Sequence, residues 1–501
     1  MNRHLPSIVL DSIFKLIADT EADQNDVRNP ALPDLYNFSL VNRCWNDEAT
    51  RRLYRKIRVD ARFLRCFALT DGTSLNTVKA MAHVRNVDLD VQCLRWTAID
   101  KCAKLLTYCI HMDGIGINSM TLPILPKIAA LNASSLCNLT YIEANCLRCR
   151  DEPQRIHASE WTHLAKCTPK VYWLDIAPRM YGFDIVGCEE VGLHHAVAVW
   201  ALSDFMLSGA SECYDMWRAL VTGKCRDTLR RLELVDVIID WKPADQDFVF
   251  TNLRELVFQN ASLPKPGEAV FGNQLQVLKV SHTTFQAVSA DMVKAAAMSA
   301  STLRILHLNI SLRTPALQHP AFPFADLEVP TLVELSAFEP LLSYTGLLSR
   351  PHASVATLEI KQKTTSMDTS LLIKTFPNVK SLLIASSIQE DVFRLVVSLP
   401  LLSNLRIASF DDMDGESFIG AVQSRTGMYP DAPVLTYTGC KRVVFAKSLL
   451  QAYLTQRSSG DTGLSDEAGG KGDVMGAAGH EYILCKTMGM LDVSPRYTGA
   501  I

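Results

Sequence analysis

Leu275-Gln276-Val277-Leu278-Lys279-Val280 and Leu303-Arg304-Ile305-Leu306-His307-Leu308 carry one figure, Leu-x-x-Leu-x-apolar. The same figure stands at Leu229/Leu232/Leu234, Leu253/Leu256/Phe258, Leu332/Leu335/Ala337, Val355/Leu358/Ile360, Val379/Leu382/Ile384 and Leu402/Leu405/Ile407. First positions fall 22 to 29 residues apart. The alternation inside each figure predicts a short strand with one buried face. The recurrence predicts stacked repeats, because one unit cannot bury its apolar face alone while neighbours in a stack share a core. Weaker units precede these at Val84/Val87/Leu89, Leu139/Ile142/Ala144 and Val171/Leu174/Ile176, and Ala432/Leu435/Tyr437 reads as a last one. Helical stretches are expected between the early units, near Ser159–Lys166 and His194–Leu207, and between later ones over Ala290–Ala300 and Thr369–Phe376. The alternative for residues 60–225 is a separate helical subdomain.

The figure resembles a leucine-rich repeat in degenerate form. The asparagine that usually follows the strand is replaced by Val237, Ala261, Thr283, Ser311, Pro340, Lys363, Ser387 and Phe410. A curved α/β solenoid follows from the resemblance, with the residues between the inward apolar ones on its concave side. These are Arg231, Glu233, Glu255, Val257, Lys279, His307, Glu334, Ser336, Glu359, Lys361, Leu383 and Arg406. Four basic and four acidic side chains balance there, which suits a mixed protein surface better than a polyanion.

Ahead of the repeats, Leu5-Pro6 opens an apolar run of Ile8, Val9, Leu10, Ile13, Phe14 and Leu16. Pro6 fits the first turn of a helix, where its missing N–H is no loss. A polar loop runs from Asp19 to Pro33. A second helix is expected from about Pro33 to Arg52, with Leu35, Phe38, Leu40, Val41, Trp45 and Ala49 as its apolar set. Leu53–Val59 alternates as a short strand. A module this small is marginal alone, so part of its apolar face is expected to meet a partner.

Leu5-Pro6, Ile13-Phe14 and the close Leu40-Val41-Asn42-Arg43-Cys44-Trp45, followed by Leu53, Tyr54 and Ile57, make residues 4–58 similar to an F-box. The pattern departs at Ile8, where the family carries Glu, and in its longer loop. The resemblance implies docking on a Skp1-type adaptor, and through it a cullin, by Leu5, Pro6, Ile8, Val9, Ile13, Phe14, Leu16, Leu40, Val41 and Trp45. The expected fold is α/β, a small helical F-box followed by the curved leucine-rich-repeat-like solenoid. The implied role is substrate recognition in a Skp1–cullin–F-box ubiquitin ligase. The concave face (Arg231, Glu233, Glu255, Val257, Lys279, His307, Glu334, Glu359, Lys361, Arg406) would hold a target protein whose identity the sequence does not give. The alternatives are a protein–protein interaction scaffold that assembles no ligase, and an unrecognised enzyme on an α/β scaffold.

Four segments are expected: a helical module over 1–58, irregular leading repeats over 59–225, the solenoid with a capping helix (Lys441–Gln456) over 226–456, and a Gly/Ser-rich, mostly disordered tail over 457–501. The chain has 501 residues, 48% of them hydrophobic, with a net charge of -3. That composition supports a large core and gives no reason to expect nucleic acid or an anionic membrane. No apolar run reaches the roughly 20 residues of a membrane span, and Asp11, Lys15 and Asp19 break the N-terminal run as no signal peptide would. Fourteen scattered cysteines suggest reduced thiols and a cytoplasmic or nuclear protein. Asn-x-Ser/Thr triplets carry no meaning in that setting.

No enzymatic activity, cofactor or metal is expected. Phosphate loops, Gly-x-Ser-x-Gly elbows and His-Glu-x-x-His helices are missing from the sequence. Gly114-Ile115-Gly116 lacks a third glycine and reads as a loop. Cys146-Leu147-Arg148-Cys149, with His157, His163 and Cys167 downstream, lacks the second pair of a zinc site. His194-His195, near Cys188, Glu189 and Glu190, reads as an ordinary histidine pair.

Overall fold

A computed structural model of the chain describes residues 49, 51, 54–59, 63–64, 79–89, 96–118, 121–146, 156–178, 192–209, 214–237, 249–261, 273–281, 298–309, 329–337, 347–364, 368–386, 389–407, 412–438, 442–444, 481–487 and 490–496. They fall into two compact units, one of residues 1–253 and 261–272, the other of residues 254–260 and 273–501. The residues expected to dock an adaptor, Leu5 to Trp45, lie outside the described residues. Of the second helix expected there, Ala49 and Arg51 are described, both helical, and Ala49 is fully buried.

The first unit is built on seven strands: β1 (Lys56–Val59), β2 (Asn86–Leu89), β3 (Gly114–Asn118), β4 (Tyr141–Cys146), β5 (Trp173–Pro178), β6 (Asp204–Ser208) and β7 (Arg231–Val235). Each pairs in parallel with the next. Alternate residues point into the core. Ile57, Val87, Ile115, Ile142, Leu174, Phe205 and Leu232 form one buried row, and Val59, Leu89, Ile117, Ala144, Ile176, Leu207 and Leu234 a second. Each such side chain contributes about 1.5–3 kcal/mol by leaving water.

Where a strand begins, one carbonyl accepts two N–H groups from the next repeat, using both lone pairs. Arg55 accepts from Arg85 and Asn86, Arg85 from Asp113 and Gly114, Asp113 from Thr140 and Tyr141, and so on to Ser203. The core is closed by helices α1 (Trp96–Leu106), α2 (Ile124–Asn132), α3 (Ala158–Cys167), α4 (His194–Val197), α5 (Tyr214–Thr222) and α6 (Cys225–Thr228), the first five packed one on the next and α6 on α5. Their apolar faces bring in Trp161, Trp217 and Leu220, with Trp200 from the turn after α4; Trp200 Nε1–H donates to Thr168 Oγ1 at 2.9 Å.

Two expectations are corrected here. Gly114-Ile115-Gly116 is strand β3, not a loop. Met112, Ile115 and Ile117 supply its buried figure, and the two glycines sit where neighbours come close: a Cβ on Gly114 would meet Asn86 Oδ1 at 2.6 Å. The stretch His194–Leu207 is not one helix. α4 ends at Val197, and after a turn β6 carries the figure Leu202/Phe205/Leu207. Residues 60–225 thus hold five strands of one ladder, with first positions at 84, 112, 139, 171 and 202.

The second unit repeats the design with β8 (Glu255–Gln259), β9 (Val277–Ser281), β10 (Ile305–Asn309), β11 (Glu334–Ala337), β12 (Thr357–Thr364), β13 (Ser381–Ser386), β14 (Asn404–Ile407), β15 (Asp412–Asp414), β16 (Leu435–Thr438), β17 (Arg442–Val444), β18 (Glu481–Thr487) and β19 (Met490–Arg496). β8 to β14 and then β16 form one parallel ladder. Helices α7 (Thr369–Thr375), α8 (Gln389–Ser398) and α9 (Gly415–Met428) pack in sequence beside it. Both units are α/β solenoids, the class the repeat pattern predicts. Among the described residues no helix is long and apolar enough to cross a membrane.

The end of this ladder also differs from expectation. Arg442–Val444, where a capping helix was expected to begin, is strand β17 and pairs with β15. Beyond the Gly/Ser-rich stretch, where one short element was expected over Glu481–Met490, two strands stand: β18 and β19 pair antiparallel, and β18 adds antiparallel to β16. A hairpin therefore covers the last edge, satisfying backbone groups that a repeat stack leaves open.

One residue before Val237 and Ala261, two strands leave through the left-handed region, at Asp236 (φ 53°) and Asn260 (φ 46°); Gly209 (φ 65°) does the same after β6. Asp, Asn and Gly tolerate this conformation best. Gly209 N–H donates to Val235 O and Asn260 N–H to Ser281 O, which continues the ladder past the strand. The next residue after each side-chain-bearing turn, Val237 or Ala261, is buried.

Candidate binding face

The side of each sheet away from the core presents side chains in register. In the second unit one row runs Glu255, Val277, Ile305, Glu334, Thr357, Ser381, Asn404, Thr436. The other runs Val257, Lys279, His307, Ser336, Glu359, Leu383, Arg406. The ladder thus brings eight of the expected face residues onto one surface; Lys361 joins them through Glu359, its Nζ lying 3.6 Å from Glu359 Oε1. His307 Nε2 lies 2.6 Å from Glu334 Oε1 across β10 and β11. Ser336 departs from expectation. It is fully buried, and its hydroxyl donates to Asn309 Oδ1. Arg231 and Glu233 belong to the first unit, on β7, where they form an ion pair of 2.8 Å.

The first unit carries a second open face that the sequence reading did not assemble. Its rows, from β2 to β7, are Asn86, Gly114, Tyr141, Trp173, Asp204, Arg231 and Asp88, Gly116, Glu143, Asp175, Met206, Glu233. Between β2 and β6 these rows hold Asp88, Glu143, Asp175 and Asp204 and no basic residue. Tyr141 and Trp173 lie side by side with ring centroids 4.6 Å apart, and Trp173 is 39% exposed. Tyr141 O–H donates to Glu143 Oε2 at 3.2 Å. Burial, Glu143 and Asp175 together push the Tyr141 phenol up.

Asp175 is half-buried at the centre. Burial first, then Glu143 and Glu233, push its carboxyl up to about 6. Its Oδ1 is enclosed and has no hydrogen-bond partner. β4 and β5 pair directly and set Tyr141 beside Trp173 and Glu143 beside Asp175, whereas Asp88 and Asp204 join the face only through β3 and β6.

The sequence's metal-like spacings serve other ends. His157 caps α3, accepting from Ser159 N while Glu160 Oε2 accepts from His157 N–H at 3.2 Å. His163 Nε2 lies 3.5 Å from Cys167 Sγ within the same helix. Cys149 lies outside the described residues. His194 and His195 pack ring to ring at 4.1 Å, and burial lowers the His194 pKa. Among the described residues no three His, Cys, Asp or Glu side chains gather as a metal ion requires.

No family model matches the chain, and no curated protein matches it in sequence. Among solved structures it is similar to the yeast Rad7–Elc1 complex, with a TM-score of 0.36 and 12% identity over 89% of this chain and 95% of that one. It is also similar to the Drosophila Toll–Spätzle complex, with a TM-score of 0.30 and 10% identity over 73% of this chain and 55% of that one. At these TM-scores the likenesses establish neither a shared fold nor a shared role.

Proposed function

We infer that the chain is a recruiting subunit of a Skp1–cullin ubiquitin ligase. The N-terminal module docks a Skp1-type adaptor and the open faces of the repeats hold a target protein. The sequence Leu5-Pro6 through Trp45, placed directly before an α/β repeat stack, carries this reading. The repeats support it by offering an ordered polar face in each unit. The chain performs no bond-making step in this account. It raises the target's effective concentration beside a ubiquitin carrier bound elsewhere in the complex.

The test is co-expression with a Skp1 adaptor followed by gel filtration. The expected result is a stoichiometric complex with the full chain, lost in Trp45→Ala and in Leu40→Ala while both variants keep the wild-type circular dichroism spectrum. Truncating a central docking Trp costs about 2–4 kcal/mol, or at least about tenfold in affinity. No complex with the full chain, or one that survives both substitutions, overturns the reading.

A further inference from the structure

We propose that the open face of the first unit, over β2 to β7, binds an extended basic segment of a partner protein, its lysine or arginine side chains held between Trp173–Tyr141 and the carboxylates of Glu143 and Asp175. The inference deepens the reading above by naming the chemical class of the target segment, and as a binding property it can be tested without any adaptor.

Separate observations converge on this surface. Charge is the first: β1 at the edge adds Lys56 and Arg58 in register with Asn86 and Asp88, but from β3 to β6 both rows are acidic or neutral, and the Arg231 guanidinium on β7 sits 2.8 Å from Glu233. The second unit's face, by contrast, alternates in sign and pairs within itself through His307–Glu334 and Lys361–Glu359. Aromatic exposure is the second. Trp173 stands on the sheet face with over a third of its surface in water, tilted 50° against Tyr141. Exposed aromatic faces beside carboxylates are where a guanidinium or ammonium gains from both cation–π and ionic attraction.

Asp175 is the third. Its Oδ1 is enclosed and lacks a hydrogen-bond donor, but the residue is only partly buried and lies in register with Glu143, so a cation beside the two carboxylates would offset the charge of both. Shape is the fourth. β3 carries no side chain in either row, so Asn86 and Tyr141 lean over Gly114, and Asp88 lies over Gly116 with Oδ1 3.3 Å from where a Cβ would stand. The carboxylates run in a row across the strands, and among the described residues no three His, Cys, Asp or Glu side chains gather as a metal ion requires, which suits an extended chain better than a single metal ion. At about 4.8 Å per strand, β2 to β7 spans about 24 Å, the reach of about seven extended residues.

The experiment uses the full chain and a fluorescein-labelled dodecapeptide of glycine alternating with arginine and lysine, with an acidic peptide of the same length as comparison. Fluorescence anisotropy should show saturable binding of the basic peptide and none of the acidic one. Trp173→Ala and Asp175→Asn should each weaken binding at least about tenfold, whereas Glu359→Gln on the second unit should leave it unchanged. Trp173→Phe, which keeps an aromatic face, should retain most of the affinity and separates lost contact from lost folding. No binding of the basic peptide, equal binding of the acidic one, or binding indifferent to Trp173→Ala and Asp175→Asn overturns the proposal. Gel filtration of the same variants with the Skp1 adaptor is read separately: a complex that forms while peptide binding fails sinks this inference and leaves the ligase reading standing.

Discussion

Arg425 is the most committed single side chain in the second unit. It is 2% exposed, and its guanidinium donates to the carbonyls of Leu399, Pro400, Leu402 and Pro433. Burial pulls its pKa down, but a guanidinium stays charged. Four backbone acceptors in the loops around β14 and before β16 are thereby satisfied by one residue. Arg425→Met should cost about 2–5 kcal/mol by leaving those carbonyls without donors. Arg425→Lys should rescue little, because an ammonium cannot span the same fork. Chemical denaturation of both variants checks this.

Asp175 gives the opposite case, a residue held at a cost to stability. Its pKa of about 6 lies above the unfolded value of about 3.9, so between those pH values the folded state keeps a proton that the unfolded state releases. Stability therefore falls as pH rises from about 4 to about 6 and is flat in this term above that. Asp175→Asn should stabilise the first unit by about 1 kcal/mol above pH 6, after discounting for solvent screening, and by nothing near pH 4. Thermal melts across that range read the sign directly. The same substitution is predicted to weaken the basic peptide, so one residue would trade stability for binding.

At the scale of elements, the turn between α5 and α6 is set by Gly223. A Cβ there would lie 2.5 Å from Ala219 O, 2.6 Å from Ala198 O and 2.8 Å from Ala198 Cα. All three are backbone atoms and cannot rotate away. Next to it Cys225 is buried, its thiol pushed up to about 12 mainly by burial and its Sγ–H directed at the carbonyls of Val197 and Trp200. Gly223→Ala should displace the turn after α4 from α6 and cost about 1–3 kcal/mol, read as a lower melting temperature.

The elements also mark what the sequence makes legible. Strong figures such as Leu275/Leu278/Val280 reveal strands because their alternation is complete and their leucines regular. β3 is hidden because glycine fills two of its outward positions and Met its first inward one. β6 is hidden because Leu193, Ala196, Val197 and Trp200 run into Leu202 and Phe205 as one helix-like apolar pattern, while a turn after α4 divides them. β16 is legible, but the hairpin that caps it comes from residues 481–496, whose sequence holds few apolar residues in alternation.

For the whole molecule, the repeat class was readable because it rests on periodicity, a property of many residues at once. The first unit's open face was not, because it depends on register: Glu143 and Asp175 meet on adjacent strands, but Asp88 shares their row only once β3 is counted. The N-terminal module is the reverse, legible as a resemblance in residues 4–58, with Leu5 to Trp45 outside the described residues.

Recovery of the tagged full chain from cells, with adaptor and cullin quantified by mass spectrometry beside the Trp45→Ala variant, tests the ligase reading most directly. It predicts both partners in near-equal amounts with the wild type and neither with the variant. Adaptor without cullin would contradict the ligase role, and both partners retained by Trp45→Ala would contradict the docking face.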